Sequence, residues 1–375
     1  MKRILLFILL AGVLSGCRGK AASSAVFTRA VYTPQYASGF DILGAEGWQS
    51  TVIRVRNPWQ GAKEVEMAYF IARNGEKPPR DFRGGVIRAG AERIVCMSST
   101  YIAMLDALGQ VGRVVGVSGM EYISNPYVLA RRDEIKDVGA EINYESIVGL
   151  KPDLVLLYGV SDALAATTDK MNELGIPYMY VGDYLEESPL GKAEWMVVLS
   201  ELTDCRAAGE RVFGAVPERY DALKRLVSGV TRRPAVMLNT PWNDSWMMPS
   251  VNNFVVRLIR DAGGDYIYPK NTSHSSVAIG LETAYGLIRE ADVWLNTGRV
   301  TSLAELLAVD EKFSDAKAVR EKKVYNNNLR LTPGGGNDYW ESGCVRPDVV
   351  LRDLIRILHP ELLEEGDLYY YRHLE

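Results

Sequence analysis

The chain is poorly stocked for ion capture or catalysis. Its 375 residues include three histidines and four cysteines. His359 and His373 lie near the C-terminus, and His274 stands alone among serines. Capture of a bare zinc or manganese ion needs several histidines and carboxylates converging on one point, so that reading is disfavoured. His274 keeps one other option, axial ligation of a haem iron. Cys96, Cys205 and Cys344 show no CxxC spacing, and three thiols cannot all pair. Cys96 falls in an apolar run and Cys205 on an apolar helix face, settings for inert buried thiols. No GxSxG elbow or HExxH motif is present. The run Gly334-Gly335-Gly336 lacks the Gly-Lys-Ser ending of a phosphate loop. No catalytic residue and no metal site is assigned, and an enzyme is disfavoured.

What remains is a set of carboxylates and aromatic rings placed in breaker-rich loops. Trp242 and Trp246 sit four apart in a loop with Pro241 and Asp244. Tyr339 and Trp340 follow the three glycines, which would let the backbone lie close to a ligand. Rings so placed can form a flat binding wall. Arg299 and Arg330 are the nearby basic groups, suited to an anionic ligand. Glu145 begins a short helix that leads through Lys151-Pro152-Asp153 into the apolar run 154–158. Glu282 stands in a related arrangement before the run 292–296. A carboxylate at a helix start is favoured by the helix dipole, and an exposed one can pair bidentately with arginine.

These residues need a scaffold, and the patterning supplies one. Residues 51–56 and part of 66–72 alternate apolar and polar side chains around the turn signal Asn57-Pro58-Trp59-Gln60-Gly61, which predicts a β-hairpin. Residues 74–90 read as a strand-poor connection. From residue 93 strands alternate with helices, which implies largely parallel sheets. Strands are expected at 93–97, 113–117, 154–158 and 178–181, then at 235–239, 292–296 and 323–326. Between 192 and 230 apolar or small residues recur every three or four positions, one helix face. Such a helix would be roughly 55 Å long, longer than one lobe, although Pro217 should kink it.

The length fits two domains. Hydrophobic residues at 47% and charged residues at 24% are those of a globular protein. A net charge of −4 gives no basic footprint for nucleic acid. Lys2 and Arg3 precede an apolar core at 4–14, too short for the ~20 residues that span a bilayer. Leu14-Ser15-Gly16-Cys17 then resembles a bacterial lipobox. That resemblance implies cleavage before Cys17 and a diacylglycerol on its thiol, followed by a small, polar tether.

The string Asn143-Tyr144-Glu145 through Leu150-Lys151-Pro152-Asp153-Leu154-Val155, with the lipobox, the two α/β lobes and the long helix, resembles the substrate-binding lipoproteins of ABC importers for metal chelates: ferric siderophores, haem and cobalamin. The resemblance covers about 90–360 and leaves 31–75 outside. It implies an α/β fold of two Rossmann-like lobes joined by one long spine helix, here with an N-terminal β-hairpin extension. The expected divisions are a signal peptide at 1–17, a tether at 18–30, an extension at 31–90, a first lobe at 91–190, a spine at 191–230, a second lobe at 231–360 and a tail at 361–375. It also implies that Glu145 and Glu282 dock into arginines of the permease. Ligands of open α/β sheets lie beyond the carboxyl ends of strands, and in a two-lobe binder those ends face a shared cleft. The expected ligand contacts are Ser99, Tyr101, Tyr122, Trp242, Trp246, Arg299, Tyr339 and Trp340. No cofactor of its own is expected, since the metal would arrive in the chelate. A ferric siderophore is the first choice of ligand, then cobalamin, then haem. The protein is expected to be a periplasmic monomer tethered to a membrane through Cys17.

Overall fold

A computed structural model describes residues 26–159 and 164–375. The lipobox with Cys17, and most of the tether, lie outside the described residues.

The N-terminal extension is larger than a hairpin. Strands β1 (Arg29–Tyr32), β2 (Phe40–Gly44), β3 (Thr51–Arg56), β4 (Glu66–Ala72) and β5 (Gly85–Arg88) form one five-stranded sheet in sequence order. The first four run antiparallel, and β5 pairs parallel to β4. The stretch expected to be a strand-poor connection therefore supplies an edge strand. Its brevity hid it: Val86 and Ile87 are too short a run to alternate. Gly84 lets β5 approach, because a Cβ there would collide with the Ala68 carbonyl. Both faces of the sheet are covered. Ile42, Ile53, Val55, Tyr69 and Ile71 join the first-lobe core, while Phe27, Val52, Phe70 and Phe82 form a small core of their own.

The first lobe follows as β6 (Ile94–Cys96), α1 (Ser99–Ala107), β7 (Val114–Val117), α2 (Pro126–Ala130), β8 (Lys136–Asp137), α3 (Tyr144–Leu150), β9 (Leu154–Leu157), α4 (Leu164–Glu173) and β10 (Tyr178–Tyr180). Its sheet runs β10-β9-β6-β7-β8, parallel throughout. Every residue of β9 is buried, as a strand covered on both faces must be.

The expected single spine is three helices: α5 (Pro189–Glu194), α6 (Met196–Leu202) and α7 (Arg206–Leu226). Asp204 adopts a left-handed backbone, φ 58°, and ends the second of them. The chain turns there, and α6 packs against the start of α7. Gly209 makes that contact possible, since a Cβ would collide with Ser200. The apolar stripe survives the turn because each helix still faces the core, so periodicity could not reveal the break. The connecting role falls to α7, about 32 Å long for its 21 residues. It enters the first-lobe core at Phe213 and the second-lobe core at Val216, Tyr220 and Val227.

The second lobe comprises β11 (Ala235–Leu238), β12 (Ser245–Met248), α8 (Phe254–Asp261), β13 (Asp265–Tyr266), β14 (Val277–Gly280), α9 (Leu281–Glu290), β15 (Val293–Leu295), α10 (Leu303–Val309), α11 (Lys317–Arg320), β16 (Val324–Asn326), α12 (Asp338–Glu341), α13 (Pro347–Leu358) and β17 (Arg372–His373). Its sheet runs β13-β11-β15-β16-β17, with β17 antiparallel at the edge. The expected tail at 361–375 is thus part of this lobe. Tyr370, Tyr371 and Leu374 are buried, and Asp353 on α13 accepts the N–H groups of Tyr369 and Tyr370 at 2.7–3.0 Å.

Candidate functional site

The carboxyl end of the first-lobe sheet and three helices of the second lobe meet at a cavity of about 330 Å³, within the range of small-molecule sites. Ser98, the N-cap of α1, and Ser99 and Thr100 in its first turn reach it, and Tyr184 comes from the turn after β10. Pro189 and Lys192 come from α5. The second lobe adds Phe254 and Leu258 on α8, Tyr339 and Trp340 on α12, Cys344 in the turn that follows, and Pro347 and Val350 on α13. The wall is mainly aromatic and aliphatic. Burial pushes the Cys344 thiol well up, so it stays protonated.

One charge stands in this wall. The Lys192 ammonium lies 3.5 Å from Asp183 Oδ2, donates to the Asp183 carbonyl at 3.3 Å, and sits 5.0 Å from the centre of the Phe254 ring. Both side chains are largely buried. Burial pushes the Asp183 carboxyl up, and Lys192 pulls it the other way. An apolar, aromatic pocket holding an ammonium can take a planar ligand with an anionic edge.

The second lobe crosses onto the first just above this cavity. Gly334 and Gly336 pack on the backbone of Glu121 and Ile123, where a Cβ would crowd their carbonyls. Cys344 and Val345 belong to the first-lobe core. The Glu341 carboxylate accepts the Ser124 N–H at 2.7 Å. Burial raises the Glu341 carboxyl from 4.5 to about 8, against the pull of the Ser124 and Asn125 N–H groups. The folded protein therefore holds this proton through a range where the unfolded chain has lost it. Its contribution to stability is complete below about pH 4.5 and falls as pH rises to about 8, by on the order of a few kcal/mol. Denaturant melts at a series of pH values should show that fall in the wild type and a flatter profile in Glu341→Gln. An equally steep profile in the variant would assign the effect to other groups.

The expected ligand residues divide. Ser99, Tyr339 and Trp340 line the cavity, with Trp340 49% exposed. Tyr122, Trp242 and Arg299 are exposed and do not line it. Tyr101 is a correction. It is fully buried, and its hydroxyl donates to the Leu157 and Val181 carbonyls at 3.1 and 3.2 Å, which completes the ends of β9 and β10. Trp246 is a second correction. It lies in a strand rather than a loop, with the alternation placing it and Met248 inward. Its Nε1–H donates to the Leu238 carbonyl, and its ring packs 5.6 Å from Trp294 and 6.1 Å from Phe313. Arg330 is paired with Asp338 at 2.7 Å and stacked over Tyr369. His274 is exposed and faces Glu187 across the lobes at 3.2 Å, beside the Arg257–Glu187 pair at 2.8 Å.

Tyr184, Lys192 and Phe254 were not foreseen. Tyr184 follows a strand end and was open to the same rule that found Ser99. Lys192 and Phe254 lie inside helices, and only tertiary packing brings them to the cavity. Glu145 and Glu282 are both exposed, each at the second position of its helix, one on each lobe.

Two α/β lobes with a pocket between them have the architecture of a two-lobe solute binder. Residues 94–328 match the periplasmic binding protein family, well over half of the chain, and the protein belongs to that family. The family consists of solute-binding proteins rather than enzymes. An uncharacterized lipoprotein of Methanocaldococcus jannaschii is 27% identical over 299 residues, 76% of this chain and 69% of that one. Among solved structures, a periplasmic heme-binding protein from Pseudomonas aeruginosa is similar with a TM-score of 0.60 at 15% identity, over 76% of this chain and 98% of that one. A periplasmic vitamin B12-binding protein of Vibrio cholerae is similar with a TM-score of 0.54 at 16% identity, over 73% of this chain and 99% of that one.

Proposed function

We propose that the protein is the substrate-binding component of an ABC importer. It captures a metal chelate between its lobes and hands it to a membrane permease. The observation that carries the reading is the interlobe cavity, walled by Tyr184, Phe254, Tyr339 and Trp340 with Lys192 at its side. Rings of this kind suit a flat or catechol-bearing ligand, and the ammonium suits an anionic one. The similar folds include a heme-binding protein and a vitamin B12-binding protein, which supports a chelate as the ligand class. A ferric siderophore is the first choice within that class. Cobalamin is the alternative, because the wall is rich in rings and holds one cation; haem ranks third. Exposed Trp242 and Tyr122 would add to the rim on closure around a larger ligand. Glu145 and Glu282 are the proposed permease contacts. Lipid on Cys17 would tether the protein to a membrane with its lobes in the periplasm, an arrangement that the lipoprotein relative supports.

The test is an equilibrium titration of protein lacking residues 1–17. Trp340 borders the cavity, so intrinsic tryptophan fluorescence should quench on addition of one of three probes: a ferric catecholate, cyanocobalamin or haemin. Sub-micromolar saturation and recovery of the ligand unchanged are expected. Failure of all three probes would reject the chelate reading.

A further inference from the structure

The family match begins at residue 94, so the five-stranded extension lies outside it. The extension nevertheless reaches the cavity wall by two routes. The first is the turn between β3 and β4, which is closed on itself: Asn57 N–H donates to the Val65 carbonyl at 2.7 Å, and Val65 N–H donates to Asn57 Oδ1 at 3.1 Å. Trp59 in this turn forms a parallel bridge with Gly159, just past the end of β9. Its ring stands edge-on to Tyr180 with centres 6.1 Å apart. The next residue, Gln60, donates its N–H to Tyr184 Oη at 3.2 Å. The Tyr184 hydroxyl in turn donates to the Gly159 carbonyl. One phenol is thereby held between the extension and the end of a first-lobe strand, while Tyr184 lines the cavity.

The second route runs through the segment 32–39. Glu194 on α5 accepts the Tyr32 hydroxyl and the N–H groups of Gln35, Tyr36 and Ala37, all at 2.7–2.8 Å. Glu186, just before α5, accepts the Ser38 and Gly39 N–H groups and the Trp195 indole N–H at 2.9–3.0 Å. Tyr184, Pro189 and Lys192 all belong to the stretch that these bonds secure. A phenol with both of its hydroxyl bonds made cannot swing aside without leaving partners unpaired.

We infer that the extension is a specificity element of the ligand site, in which the β3–β4 turn positions Tyr184 as a fixed first-lobe wall and so decides which planar chelates fit beside Lys192. Trp59 is the positioning residue, and Tyr184 is the one that meets ligand. The inference rests on the proposed role of the cavity as the chelate site.

The test uses the chain lacking residues 1–17, with Trp59→Ala, Trp59→Phe and Tyr184→Phe, titrated with haemin, cyanocobalamin and the iron(III) complex of 2,3-dihydroxybenzoate. Trp59→Ala and Tyr184→Phe should change the ratio of affinities among the probes by about tenfold. Trp59→Phe should restore the wild-type ratio. Amide hydrogen exchange should quicken at 181–186 in Trp59→Ala and stay unchanged at 254–258. Equal weakening toward every probe, or an unchanged ratio, would overturn the inference. If the unaltered protein binds none of the probes, the chelate reading fails separately, and exchange decides the positioning claim. Faster exchange at 181–186 then upholds it, and unchanged exchange overturns it.

Discussion

Replacing Glu145 and Glu282 together with arginine is expected to reduce uptake on the order of 100-fold and leave ligand affinity unchanged. Both carboxylates are exposed, one on each lobe at a helix start. Neither lines the cavity. If arginines of a permease receive them, reversal sets like charges against each other at two points, and such juxtapositions cost several kcal/mol each. Every 1.4 kcal/mol is a factor of ten, so the combined loss is large even with partial solvation. Folding should barely change. Exposed substitutions usually stay within ~0.5 kcal/mol, and the helix dipole adds ~0.3–1 kcal/mol against an arginine there. Affinity is read from tryptophan fluorescence, and uptake from cells or vesicles that carry the cognate permease. A loss of affinity, or uptake at the wild-type rate, would reject the docking role. Each single reversal should fall between the double variant and the wild type.

The second large effect concerns stability. Glu194→Ala should destabilise the protein by about 4 kcal/mol. The Glu194 carboxylate is fully buried and accepts four hydrogen bonds from residues 32–37. Leaving a buried donor unpaired costs about 1–3 kcal/mol, and water entering the gap will recover part of that sum. The neighbouring staple at Glu201, which meets Thr51, Arg73 and Arg206, is retained and keeps the extension attached. Denaturant melts give the loss of stability. Limited proteolysis should open the segment 32–39 before the rest of the chain. A variant within 1 kcal/mol of wild type would show that water replaces the carboxylate without cost.

How much of this was legible follows from the range of each signal. The parallel first-lobe strands announced themselves through short apolar runs between breakers, and β9 is the clearest case. Ser99 and the pair Tyr339 and Trp340 were found because they follow strand ends or a glycine run. The same reasoning fails at Trp246, which with Ser245 belongs to the strand Ser245–Met248 rather than to the loop expected over 239–246. A tryptophan there satisfies its indole on the Leu238 carbonyl inside the lobe, which composition cannot distinguish from a ring facing ligand. Tyr101 failed differently. Its position after β6 was right, but its hydroxyl turns inward to two strand-end carbonyls. The spine shows the limit of periodicity. A stripe at steps of three and four records which side of each helix faces the core, and it persists across the left-handed Asp204 that ends α6.

By itself the sequence determined what local patterning and short motifs can carry: two α/β lobes, largely parallel strands, and acids at two helix starts. Those features follow from interactions within a few residues, such as side-chain alternation, capping and backbone breakers. Tertiary structure alone decided which rings meet in the cavity, that Lys192 and Asp183 stand together beside it, and that the extension is joined to α5 by Glu186 and Glu194. The cavity rings and the partners of the extension lie far apart in the chain, and Asp183 and Lys192, nine residues apart, are brought together by the turn that precedes α5. Their energies come from burial and from satisfying buried polar groups, and both depend on packing that no local pattern records.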